Sequence, residues 1–301
     1  MLVRGLKHRA PALLAALGAN LIYSLNYIVA KGIMPDYLQP RSIILLRVVG
    51  ASLVFWIISL FTKTEKVLLS DLLLIAFASL FGVTINQILF FEGLNLSTPI
   101  NASIIMVCVP LGVLSFSRLI KGEALSWLKV AGILIGTTGA AALILQRGSF
   151  EFSSSTALGN ALIVLNASSY ALYLVLIKPM MEKYHPITVM KWVFLFGMVS
   201  VIPFTMHIAI KADWSIIPPT IWLSIVYVIV FTTVLAYFFN NFSLQRISPT
   251  TNSAFIYLQP FFTAILALLL GKDQLNLSMV LPALLIFTGV YLVIRPSGSL
   301  K

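Results

Sequence analysis

Five residues, Asn20, Tyr23, Ser24, Tyr27 and Lys31, interrupt an otherwise apolar stretch at spacings of i, i+3, i+4, i+7 and i+11. Such positions fall on one side of an α-helix, so one face stays polar along its length. Asn166, Ser169, Tyr170 and Tyr173 form a second stripe, and a shift of 147 positions lays Tyr170 on Tyr23 and Tyr173 on Asn26. Other apolar stretches carry Asn86 and Gln87, Asn101 and Ser103, Tyr237, Asn240 and Asn241, and Asn252, Ser253, Tyr257 and Gln259. An amide left unpaired in hydrocarbon is costly, so these groups should converge inward. The expected solute-binding set is Tyr23, Asn26, Asn86, Gln87, Asn101, Asn166, Tyr170, Tyr173, Tyr237, Asn240, Asn252 and Gln259. Aromatic walls would supply apolar contact and amides would fix orientation.

The chemistry missing from these stretches narrows the reading. Glu92 stands at the end of its apolar segment, and no carboxylate falls at mid-depth in any of them. Proton-driven carriers usually place an acid in the pathway. Its absence favours facilitated, exchange or weakly coupled movement of a neutral or zwitterionic solute, although a narrow outer mouth would let Glu92 titrate. His8, His185 and His207 lie at or outside segment ends, which argues against a membrane-embedded enzyme and against a metal site. No cofactor is called for. A binding-only sensor or assembly subunit would share the polar lining and differ in giving no flux.

Arg47 is the costliest residue, about six positions inside its segment. Its guanidinium could snorkel to the surface, pair inside the bundle or meet an anionic group of the solute. Lys191 is shallower and is expected to snorkel. Cys108 allows no intrachain disulfide and is expected to pack as a small apolar residue. Pro110 and Pro260 fall mid-segment, where each removes a backbone hydrogen bond and should kink its helix, with a shared gating role as one consequence.

These residues must be positioned by membrane helices. Apolar residues make up 59% of the 301, charged residues only 10%, and mean hydropathy is +1.01. Ten segments approach the ~20 residues a bilayer requires: 12–30, 42–61, 72–91, 98–117, 127–146, 157–177, 187–208, 219–239, 249–270 and 278–294. With both termini inside, thirteen Lys and Arg fall in inner segments and five in outer loops. The net charge of +11 is therefore a topology signal rather than a nucleic-acid groove.

The chain also repeats itself. A shift of 150 lays Pro99 on Pro249, Ser103 on Ser253, Pro110 on Pro260, Leu125 on Leu275, Thr138 on Thr288 and Gly139 on Gly289. Residues 1–146 and 157–301 then form two five-helix copies joined by a polar linker, 147–156. An odd number of spans per copy inverts the second, which is a common architecture for carriers with a central site.

Tyr23-Ser-Leu-Asn-Tyr-Ile-Val-Ala-Lys31, Arg47, Phe91-Glu-Gly-Leu94 and Ser97-Thr-Pro-Ile-Asn-Ala-Ser103 carry a family resemblance. Pro110 with Gly122-Glu123, and its second copy Pro260 with Lys272-Asp273, add to it. The chain resembles the drug/metabolite transporter superfamily, in its ten-helix EamA-type branch, over essentially its full length. Tyr23 replaces the usual Trp, and Lys272-Asp273 the usual Gly-Glu. The resemblance implies a basket-like bundle, a site between the repeats, and alternating-access export of amino acids or related metabolites. The expectation is an all-α, multi-pass inner (plasma) membrane protein with cytoplasmic termini, a monomer or weak dimer. Its partners would be a small-molecule substrate and the lipid bilayer, with no nucleic acid. A multidrug exporter of lipophilic compounds is the alternative.

Overall fold

The computed structural model describes residues 2–63, 65–122, 126–146, 150, 153–269 and 279–295. Glu123, Lys272 and Asp273 lie outside these residues, as do Leu275 and half of the linker 147–156. Among the described residues all regular structure is helical. Eight helices contain stretches long and apolar enough to cross a bilayer. They are α1 (Leu2–Ile33), α2 (Pro40–Leu60), α3 (Leu69–Leu96), α4 (Pro99–Lys121), α5 (Trp127–Leu145), α6 (Ser154–Lys183), α7 (Pro186–Ile210) and α8 (Pro219–Leu244). The last two expected segments are helical but differ in form. Residues 249–269 (α9) are broken by a 3₁₀ turn at Phe255–Tyr257, and α10 (Val280–Ile294) has 15 residues.

Local chemistry explains where these helices start. Thr98 and Ser248, 150 apart, each accept a hydrogen bond from a backbone N–H three residues on, at Asn101 and Thr251. Each is followed by a proline at the first helical position, where a missing N–H costs nothing. This matched Pro99/Pro249 signal is thus an N-cap repeated in both copies. α6 begins inside the expected linker because Ser153 and Thr156 form a capping box.

The two mid-segment prolines interrupt their helices as expected. In α4 the break falls at Val107–Cys108, where the Cys108 N–H bonds the Ile105 carbonyl at 3.0 Å. Pro110 lies in the first turn of the resumed helix. The 3₁₀ turn of α9 occupies the corresponding place before Pro260. One expectation fails here: Cys108 is exposed rather than packed, because it occupies the break itself.

α3 and α8 carry a second matched irregularity, a wide π turn at Leu80–Thr84 and at Tyr227–Leu235. Neither was foreseen from the sequence. In α3, the Phe81 carbonyl accepts from the Ser169 hydroxyl at 2.7 Å and the Gly82 carbonyl from Tyr237 at 3.1 Å. In α8, the Val228 carbonyl instead accepts from Thr232 and Thr233 of the same helix.

Packing follows the repeat. Exchanging α1–α5 with α6–α10 maps the α2·α7 and α5·α10 contacts onto themselves, and α1·α8 onto α6·α3. The α1·α9 contact likewise maps onto α6·α4. α5 and α10 meet through glycines: a methyl on Gly289 would fall 2.5 Å from the Gly136 nitrogen, and one on Gly132 2.8 Å from the Gly289 carbonyl oxygen. Small residues let two backbones approach this closely. The exterior carries large apolar side chains such as Leu14, Leu73, Leu119, Leu223 and Leu284. Asn20, Asn101, Asn166, Asn240, Asn241 and Asn252 are buried. The bundle thus presents apolar side chains outward and keeps its amides inside, among a largely apolar core.

Candidate functional site

A cavity of ≈ 80 Å³ opens between helices of both repeats. α1 contributes Asn20, Tyr23, Asn26 and Tyr27, and α3 contributes Asn86, Gln87, Phe90 and Phe91. Asn166 and Tyr170 come from α6, Tyr237 and Asn240 from α8, and Asn252, Ile256 and Gln259 from α9. Arg47 of α2 and Met106 of α4 complete the wall.

Hydrogen bonds between helices hold this lining in place. The Gln259 amide donates to Asn20 Oδ1 at 2.7 Å, joining α9 to α1, and Asn20 Nδ2 donates to the Ala16 carbonyl at 2.8 Å. Asn240 Nδ2 donates to the Tyr170 hydroxyl at 2.9 Å, and Asn252 Nδ2 to the Asn240 carbonyl at 3.2 Å. Asn166 Nδ2 donates to the Asn86 carbonyl at 2.7 Å, tying α6 to α3. Tyr23 meets Tyr237 edge-on, with ring centroids 6.4 Å apart. Amides bonded across helices are preorganised, so a solute would not have to order them.

The break at Val107–Cys108 and the 3₁₀ turn at Phe255–Tyr257 border this cavity, since Met106 and Ile256 both line it. The π turn of α3 lies just ahead of Asn86 and Gln87, and that of α8 just ahead of Tyr237 and Asn240. Every irregular stretch of the four broken helices is therefore adjacent to residues that line the cavity. In an apolar bundle, backbone departs from regular helix only where protein groups or a cavity satisfy it.

Two of the expected site residues are elsewhere. Asn101 donates from Nδ2 to Asn160 Oδ1 at 3.1 Å, and Ser97 donates to that same oxygen at 2.6 Å. It ties the start of α4 to α6 and does not line the cavity. Tyr173 is fully buried, donates to Asn241 Oδ1 at 2.9 Å, and packs flat against Gly82. A methyl on Gly82 would fall 2.3 Å from the Tyr173 ring. Tyr173 keeps the spacing of its stripe and Asn101 is an amide in an apolar stretch, but a neighbouring helix claims each.

Lys31 also leaves the stripe. Its ammonium donates to the carbonyls of Leu94, Asn95 and Ser97, at 2.9, 2.8 and 3.1 Å, closing the end of α3. Lys178, 147 residues later, donates to the Leu244 carbonyl at the end of α8 and pairs with Glu182 at 2.8 Å. A cation at a helix C-terminus satisfies orphan carbonyls and opposes the negative end of the dipole. Glu92 is bound to Arg41 at 2.7 Å and is not part of the cavity lining.

Arg47 does not reach a surface: it is 4% exposed, over the Phe91 ring at 4.7 Å. Of its open alternatives, snorkelling is the one the geometry removes. Lys191 lies 5.1 Å above the Trp56 ring, nearer a helix end. Besides Arg47, the lining residues outside the expected solute-binding set are Asn20, Tyr27, Phe90, Phe91, Met106 and Ile256. Three to four residues separate Phe90 from Asn86 and Gln87, and four separate Ile256 from Asn252, so helical spacing would have found them.

Among the described residues, an all-helical bundle with an apolar exterior, buried amides around a cavity and matched broken helices has the form of a membrane transport protein. The chain belongs to the EamA-like transporter family, whose model matches residues 10–145 and again 157–295, and thereby to the drug/metabolite transporter superfamily. An uncharacterized transporter of Archaeoglobus fulgidus is 30% identical over 224 residues, covering 74% of this chain and 76% of that one. The uncharacterized transporter YyaM of Bacillus subtilis is 27% identical, over 84% of each chain. The WAT1-related protein At3g18200 of Arabidopsis thaliana is 25% identical, over 90% of this chain and 76% of its own. A crystal structure at 19% identity superposes with a TM-score of 0.77, covering 95% of this chain and 99% of that one, and so shares the fold.

Proposed function

We propose that this chain is a secondary transporter that exports or exchanges a small metabolite, an amino acid or related solute, by alternating access. It would cross the inner (plasma) membrane ten times as two inverted five-helix repeats, with both termini cytoplasmic. Residues 1–146 and 157–301 are the two copies in this reading. The observation that carries it is a polar cavity inside an apolar-surfaced bundle, lined by corresponding helices of both halves. The substrate would lie among Tyr23, Asn26, Asn86, Gln87, Asn166, Tyr170, Tyr237, Asn240, Asn252 and Gln259. Rocking of the halves would bend α4 and α9 where Pro110 and Pro260 already interrupt them. Closure would rely on the helix ends capped by Lys31 and Lys178.

The test is counterflow of a labelled metabolite library into proteoliposomes of the purified chain. For whichever solute exchanges, Asn26→Leu and Asn240→Leu should each slow flux about 10-fold, the equivalent of a little over one lost hydrogen bond at ~1 kcal/mol, with elution volume unchanged. Undiminished flux in both variants would reject the cavity as the substrate path. Flux of lipophilic cations in place of metabolites would favour the multidrug alternative.

A further inference from the structure

Arg47 brings a positive charge into the cavity wall without a negative one to meet it. No Asp or Glu is among the described residues that line the cavity, and Arg47 forms no ion pair with a described residue. Its Nε has no hydrogen-bond partner, while its flat face is taken by Phe91. A buried charge left unpaired is strongly unfavourable. A guanidinium held by stacking keeps its N–H edge free, and that edge matches the two oxygens of a carboxylate.

Asn166 offers the complementary chemistry. Its amide nitrogen must be the atom facing the Asn86 carbonyl, since only a donor fits there. Its Oδ1 is therefore an acceptor, and that buried oxygen has no partner. Around the cavity Arg47 thus brings an unpartnered cationic donor and Asn166 an unpartnered neutral acceptor, beside the neutral amide atoms of Asn26 and Gln87 that also lack partners.

Resting on the transport reading of this cavity, we infer that Arg47 selects the substrate's charge: the solute carries a carboxylate that docks on Arg47 and an N–H group that donates to Asn166. Tyr23, Phe91 and Tyr237 would enclose its apolar body. Arg47 is then the residue that distinguishes an acid from its neutral amide.

Matched pairs of probes test this: N-acetylglycine, N-acetylleucine and N-acetylphenylalanine, each against its own C-terminal amide. Calorimetry on the purified full chain in detergent should give tighter binding of the acid by about 30-fold or more in at least one pair. That is the usual scale for losing one partner of a buried charge pair. Arg47→Met should abolish the difference while leaving amide binding in place. Arg47→Lys should retain only part of it, because an ammonium lacks the planar fork. Replacing the N–H of the favoured acid by an ester oxygen should weaken binding to the wild type and leave binding to Asn166→Leu unchanged. Equal binding of acid and amide by the wild type, or no binding of any acid, overturns the assignment without recourse to a variant. Proteoliposome exchange separates the two levels. Flux that ignores the acid/amide distinction sinks the role of Arg47 alone, and absence of flux for every solute sinks the transport reading.

Discussion

The end of the bundle closed by Lys31 and the end closed by Lys178 are copies of one scaffold with different side chains. At both, a lysine donates to the terminal carbonyls of a neighbouring helix. At the Lys31 end Gly93 and Gly159 bring α3 and α6 into backbone contact, and Ser97 and Asn101 converge on Asn160. At the other end the corresponding positions are Ser243 and Ala12, then Ile247, Thr251 and Leu13. Ile247 belongs to a buried apolar cluster against which Leu13 packs. Apart from the lysine caps, these positions join one end by directional hydrogen bonds and the other by apolar contact. Hydrogen bonds hold one geometry, whereas apolar contact tolerates sliding. A duplicated fold thus holds its two ends by different means.

Substitution can break the comparison at several strengths. The lysine caps should matter most. Lys31→Met and Lys178→Met should each lower unfolding free energy by about 2 kcal/mol, the scale for hydrogen bonds to a charged group, when measured by SDS titration in mixed micelles. Equal losses support a shared capping role, and a loss at one end only would dissolve the symmetry. Asn160→Leu should cost slightly less, about 1–2 kcal/mol for partners left unsatisfied in the interior. It should also raise maleimide labelling of a reporter cysteine placed at Ser97. Asp71→Asn is expected to have the smallest effect. Asp71 accepts from Lys183 and from the Tyr184 hydroxyl, at 2.5 and 2.6 Å, at the water-facing rim of the Lys178 end. Its effect should be small and should vanish at high salt, because exposed pairs are screened. A salt-independent loss would mean that this rim, rather than Lys178, closes the end.

Helical spacing and the cost of burying amides were enough to bring Asn86, Asn166, Asn240 and Asn252 together from the sequence. Those two rules determine which face of a helix turns inward. They do not determine what waits there. Asn101 faces inward as required but meets Asn160 on α6, a long-range partner that spacing cannot name. Tyr173 follows the stripe and is captured by the bare backbone at Gly82. The Gly132, Gly136 and Gly289 contacts were readable as small residues but not as a pair of helices. The wide turns of α3 and α8 left no local signature, since Leu80–Thr84 reads as ordinary apolar helix. The proline breaks were legible because a missing N–H acts on its own helix.

Those wide turns have a consequence for how the cavity's polar face came to point where it does. Each lets a backbone N–H reach five residues back, from Ile85 to Leu80 and from Ala236 to Phe231, instead of four. One residue corresponds to about 100° of rotation around the axis, so everything beyond the turn is wound back by roughly that angle relative to an unbroken helix. Shortening either stretch by a single residue would swing Asn86, or Tyr237 and Asn240, out of the interior and toward lipid, with no other change in composition. The length of these two short runs therefore shapes the cavity's polar lining as much as the amides themselves do.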